Sequence, residues 1–310
     1  MTLGLIREYG RELRISHDGR PLVSYVYRPP EPRMESPRPY FHPLYTLGGD
    51  EVGLYRPHDH VWHKGIAFSL PNIIDPAGGT TANFWGGPTY LRGQGYAQLP
   101  NNGVQQHLEF DEIAVTAGEV RVIESLDWIT EPGETWFAER RSFTVVLNDT
   151  GSWTLVYGSE LTNVSGRDLA IGSPTTEGRD NAGYGGLFWR GPRSFSSAGH
   201  VYLPDRQSSD VDELMGSRAE WLAFTGRHDS HGRQSTLVFV DGPDNVGSPT
   251  PWFVRRQIFA CVCPAPFFSA EVPVPAGETL TLRYAVTIVD GDPGADGVAD
   301  VAKQALAAWR

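Results

Sequence analysis

The chain has 310 residues, 26 Lys and Arg against 37 Asp and Glu, and a formal net charge of −11. Nucleic-acid backbones and anionic membrane surfaces are bound by clustered cations, so this composition argues against both as partners. No run approaches the roughly 20 apolar residues of a spanning helix, and Met1 to Glu8 lacks a basic-then-apolar leader pattern, so a cytoplasmic protein is expected.

Leu13-Arg14-Ile15 and the run Leu22 to Tyr27 read as strands joined by His17-Asp18-Gly19-Arg20, a hairpin signature. Residues 28–39 follow as irregular chain. The segment Arg56 to Gly65 then places His58, His60 and His63 within six residues, beside Asp59 and Lys64. Residues 71–102 again read as irregular. Val104 to Phe110 carries His107, and Ala117-Gly118-Glu119 marks a turn. Arg141 to Leu147 and Trp153 to Tyr157 alternate apolar with other residues about a turn at Asn148-Asp149-Thr150-Gly151. Residues 173–193 form a further irregular stretch, and 227–233 a polar loop in which His228 and His231 read as a solvated turn.

Cys261 and Cys263 stand one residue apart in an apolar run. In a strand they share a face, and a bridge between them would strain the backbone, so two buried thiols are expected. Ala276-Gly277-Glu278 is another turn. From Thr279 to Val289 the residues Leu280, Leu282, Tyr284, Val286 and Ile288 share one face. Beyond Asp292-Pro293-Gly294, the spacing of Val298, Val301, Ala302, Ala305, Leu306 and Trp309 predicts a short C-terminal helix over about 295–310, packed outside the sheets. The expectation is all-β: one domain over 1–310, built as a large antiparallel two-sheet β-sandwich.

Several segments together resemble one family. They are Arg38 to Thr46, His58-Asp59-His60-Val61-Trp62-His63-Lys64-Gly65, Asn83-Phe84-Trp85-Gly86-Gly87, Ala182 to Arg190, Trp252 to Arg255 and Pro275 to Tyr284. The resemblance is to the soluble PmoA-like family, labelled "methane oxygenase", and it spans nearly the whole chain. It implies a galactose-mutarotase-like supersandwich and a sugar or keto-sugar ligand. Where many members carry His-Pro-His-His, this chain has His60-Val61-Trp62-His63.

Two chemistries suit the histidine cluster. Imidazole is the commonest metal ligand, so His58, His60 and His63 are candidates for one divalent ion (Zn, Mn or Fe), if the chain turns before His63. His107 and Glu139 are further candidate ligands. In a metal-free site, His60 or His63 acts as an acid and Glu177 or Glu139 as the base. Arg179, Arg190 and Arg255 supply donor forks for oxygens, and Trp62, Trp85 and Trp189 offer faces for a sugar ring. The expected function is an enzyme acting on a carbohydrate or keto-sugar-like small molecule by epimerisation, elimination or hydrolysis. The alternatives are a jelly-roll metal-dependent oxygenase and a non-catalytic sugar-binding module.

Overall fold

Alternating burial builds the long strands. In Thr279–Asp290, Leu282, Tyr284, Val286 and Ile288 turn into the core on one face, as the sequence pattern predicts. Glu119–Ile129 and Thr135–Asn148 follow the same two-residue period, with Val120, Val122, Phe143 and Val145 inside. The hairpin joining Glu12–His17 to Arg20–Val26 turns on Asp18 and Gly19, both at positive φ (46° and 78°), which suits the right-handed twist of the two strands.

The computed structural model describes residues 2–148 and 151–307, and in it these strands form two large antiparallel sheets. One has eight strands in the order Leu3–Glu8, Glu12–His17, Arg20–Val26, Tyr40–Leu44, Ile66–Ser69, Gly186–Arg190, Cys261–Pro264, Trp252–Arg255. The other has nine, in the order Val104–Val115, Glu119–Ile129, Thr135–Asn148, Ser152–Asn163, Thr279–Asp290, Gln234–Asp241, Trp221–Arg227, His200–Leu203, Arg206–Ser208. A continuous core from Leu3 to Ile288 fills the space between them, with Trp128, Trp153, Trp189 and Trp252 among its fully buried side chains. The all-β sandwich expected from the sequence is therefore the observed fold class.

The C-terminal helix spans Gly294–Ala307 and lies on the outer face of the nine-stranded sheet. Val298, Ala302 and Ala305 bury against Val238, Val240 and Ala285; Val301 and Leu306 pack at its edge. Burial of a side chain like Val298 is worth roughly 1.5–3 kcal/mol, so a charge there would lift the helix off. Trp309 lies outside the described residues, as do Asp149 and Thr150 of the expected turn.

Two stretches expected to be irregular contain strands. Residues 71–102 hold Asn72–Asp75 and Thr80–Ala82, which join a small four-stranded sheet, and the hairpin Thr89–Leu91/Gly95–Ala97. Within 173–193, Gly186–Arg190 is an interior strand of the eight-stranded sheet. Its run is buried on both faces, so it shows no alternation, and its flanking glycines read as loop.

Candidate active site

The segment between Tyr40–Leu44 and Ile66–Ser69 makes two successive tight turns. The His60 N–H donates to the Pro57 carbonyl (3.0 Å) and the His63 N–H to the His60 carbonyl (2.9 Å), while the Arg56 N–H closes the loop on the His63 carbonyl (2.9 Å). A strand would throw His60 and His63 to opposite faces; these turns put them on the same side. Their rings stack, with centroids 4.8 Å apart and planes 19° apart.

Buried ions hold the loop from below. Glu35 accepts from Arg56 Nε and Nη2 (2.9 and 2.6 Å) and from the buried Lys64 ammonium. Burial pulls the Lys64 ammonium down to about 8 against the opposing pull of Glu35 and Glu31. Arg38, also buried, donates to the Trp62 carbonyl at 2.6 Å. The Trp62 indole rests on the backbone of Gly86 and Gly87. A Cβ on Gly87 (φ 69°) would lie 2.7 Å from the ring, so only glycine lets the tryptophan lie flat there. The Asn83 side chain shapes that second loop by accepting from the N–H groups of Trp85 and Gly86 (2.8 and 3.0 Å).

These loops wall a cavity of about 350 Å³. His60 and His63 lie on one side, with Trp62, Trp85, Tyr184, Phe188, Phe253 and Phe259 as aromatic walls. Arg179, Arg255, Tyr96 and the exposed Ile258 complete the lining. The volume is near the lower end of the ~300–1,000 Å³ typical of small-molecule sites.

The two imidazoles have different partners. Arg190, fully buried, donates from Nη1 to His63 Nδ1 at 3.0 Å. Guanidinium has no acceptor, so His63 Nδ1 must hold a lone pair and, in the neutral ring, Nε2 carries the proton. Burial, and next the Arg190 charge, hold His63 well below the usual histidine range. His60 has Asp59 Oδ2 3.4 Å from its Nδ1. Burial lowers its proton affinity while Asp59 raises it in part. Asp59 is itself held by Arg193 (2.9 Å) and lies 3.8 Å from Arg190. The Arg190 guanidinium sits 3.9 Å over the Phe259 ring, and burial lowers it to about 10.

A family model matches residues 12–303. The chain belongs to DUF6807, a family of unknown function. The PmoA-like resemblance is not part of that match, and no curated protein matches the DUF6807 chain in sequence. Solved structures with a similar arrangement include an α-galactosidase from Lactobacillus brevis (8% identity, TM-score 0.45, 94% of this chain and 40% of that one) and galactose 1-epimerase from Lactobacillus acidophilus (8%, 0.45, 94% and 100%). A GalM/aldose epimerase homologue from C. elegans is a third (9%, 0.35, 94% and 100%). The chain thus spans under half of the α-galactosidase. The TM-scores of these three are all below 0.5.

Of the residues singled out in the sequence, His60, His63, Trp62, Trp85, Arg179 and Arg255 meet at this cavity. Arg190 stands behind it, on His63. His58 does not join them: it is exposed, with its Nδ1 3.3 Å from Arg193. The three-imidazole metal set is therefore corrected. Stacked rings direct their in-plane lone pairs side by side rather than at one point, and His63 has a proton on one nitrogen and Arg190 on the other. Among the described residues no group of three His, Cys, Asp or Glu is placed to hold an ion. The oxygenase alternative draws on the same His58–His60–His63 set, and among the described residues it is not brought together.

Trp189 is a core residue. Its indole donates to the Val52 carbonyl (2.7 Å) and packs on Phe224 and Phe239 between the sheets. Glu139 lies elsewhere, accepting from Trp128 Nε1 (2.7 Å), from Arg141 Nε and Nη2 (3.0 and 2.7 Å) and from Ser159 (2.7 Å). His107 Nδ1 pairs with the buried Glu124 at 2.6 Å, and Tyr25 also reaches Glu124. Together they form a buried network between the two sheets, and none of its members lines the aromatic cavity. Glu177 is in a loop, 3.8 Å from Arg92, and does not line the cavity. Neither carboxylate lines the cavity with His60 and His63. Cys261 and Cys263 are free and buried, as expected, in the apolar cluster that includes Trp85 and Phe188.

The sequence reading passed over Asp59, Tyr96, Tyr184, Phe253 and Phe259 as site residues. Asp59 had a signal, being inside the histidine motif. The hydroxyls of Tyr96 and Tyr184 lie 2.9 Å apart, and Arg179 donates to Tyr96, a contact no local pattern announces.

Proposed function

We propose that this protein is an acid–base enzyme acting on a small hydroxylated or carbonyl-bearing molecule, sugar-like in size. The observation that carries the reading is the stacked His60–His63 pair on one side of an aromatic cavity, with its two rings set to opposite tasks. His60, beside Asp59 and held neutral near pH 7 by burial, takes a proton from the ligand. His63, its Nδ1 committed to Arg190, offers Nε2–H to the oxygen on which negative charge develops. The aromatic walls receive the apolar face of a ring. Removing a proton from the carbon beside a carbonyl and returning it to the other face gives epimerisation; if the oxygen on the next carbon instead leaves, taking the proton now held by His60 and departing as water, the outcome is elimination.

The test is deuterium exchange. A panel of keto-sugars and aldoses is incubated with the protein in D₂O and followed by NMR. At least one member is expected to take up solvent deuterium at carbon. His60→Gln should slow that exchange by roughly 10²–10⁴, the usual worth of a positioned base, while leaving the melting temperature within a few degrees. Exchange that survives this substitution unchanged removes His60 from the chemistry and the reading with it.

A further inference from the structure

The cavity has a charge pattern opposite to that of the chain. The protein as a whole is at −11, yet no Asp or Glu lines the cavity, while two arginines and two histidines do. Among the described residues, neither Arg179 nor Arg255 forms an ion pair. Arg179 donates to the Tyr96 hydroxyl and lies 4.7 Å over that ring. Arg255 Nη2 donates to the Asn181 carbonyl at 3.3 Å and stands 5.2 Å over Phe253. Arg193, just outside, has its carboxylate in Asp59. The bond from Arg255 to the Asn181 carbonyl ties it to the loop that carries Arg179. Each spends only part of its five donors on neutral groups.

A guanidinium partly withdrawn from water against aromatic rings, with no counter-ion, is at its most stable when an anion arrives. We infer that the ligand carries an oxyanion, a carboxylate or a phosphate, on a single-ring polyhydroxylated body, with Arg179 and Arg255 receiving the charged group and Trp62 and Trp85 the ring. This rests on the function proposed above and narrows its substrate class from sugars in general to acidic sugars. With the charged group on Arg179 and Arg255, the rest of the ring is left to His60 and His63, which line the same cavity.

Trp62 and Trp85 line the cavity, so binding is read as a change in tryptophan fluorescence. D-glucuronate, D-glucose 6-phosphate and D-glucose are titrated into the full chain at low and at physiological salt. One of the two charged sugars is expected to bind at least tenfold more tightly than glucose, with affinity falling as salt rises. Which of the two binds better assigns carboxylate or phosphate. Arg179→Gln and Arg255→Gln should each weaken the charged probe about tenfold and leave glucose unchanged. Glucose binding as tightly as both charged sugars, or both variants weakening all three probes alike, overturns the anionic class while leaving the acid–base reading standing. If none of the three probes changes the tryptophan emission, the acidic-sugar class is overturned, while deuterium exchange that His60→Gln slows would leave the acid–base reading standing.

Discussion

Replacing Asp59 by Asn isolates the carboxylate that opposes burial in the protonation of His60. The carboxylate is 3.4 Å from His60 Nδ1, and the two side chains are 25% and 34% exposed. Water reaches the pair, so its interaction is that of a screened surface contact, about 0.5–1 kcal/mol. Asp59 favours the charged ring, so its loss lowers the midpoint; Arg190, no longer offset by Asp59, pushes the same way. NMR titration of the histidine ring protons reads this without any substrate. In the unaltered protein His60 should titrate below the ordinary 6.5, and His63 should stay neutral well beneath that. In the variant the His60 midpoint should fall further below 6.5, because the carboxylate that favours the charged ring is gone. A midpoint that stays put or rises would show that Asp59 does not govern this ring, and the division of labour between the two histidines would collapse.

Stability should fall on mild acidification. His63 and His42 are both held neutral by burial, His42 down to about 4. Their folded proton affinities are lower than in the unfolded chain, so above pH 6.5 both states are neutral and nothing changes. Below 6.5 the unfolded chain takes up protons the fold refuses, costing up to about 1.4 kcal/mol per pH unit per histidine. Urea melts between pH 7.5 and 5 should show the midpoint dropping, and a flat profile would contradict the burial of these rings. Glu139→Ala strips the buried Arg141 of its closest carboxylate and should cost about 3–5 kcal/mol in unfolding free energy without changing ligand affinity. A loss of affinity with no loss of stability would return Glu139 to the binding site. Gly87→Ala sets a methyl against the Trp62 indole at a positive φ, and should weaken ligand binding several-fold and alter the tryptophan emission; wild-type binding would mean that Trp62 is not seated on this loop.

Much of the fold was legible from local pattern. Two-residue alternation announced the long strands, Asp18-Gly19 the hairpin, and the spacing of Val298, Ala302 and Ala305 the outer helix, because each depends on residues a few positions apart. The histidine motif and its aromatic and arginine companions also stood out as chemistry in search of a site. Which of them meet did not, and Trp189 shows why. The period of a strand places Phe188 and Arg190 on one face and Trp189 on the other, but nothing in the run says which face is core and which is cavity. The sheet opposite decides: Trp189 meets Phe224 and Phe239, while Phe188 and Arg190 meet His63. Likewise His58, His60 and His63 are equal as sequence, and only the two turns at 57–63 stack the last two and turn the first toward solvent. Composition and periodicity act along the chain and so determine elements; a site is assembled from loops more than a hundred residues apart, and that convergence exists only once the sheets have packed.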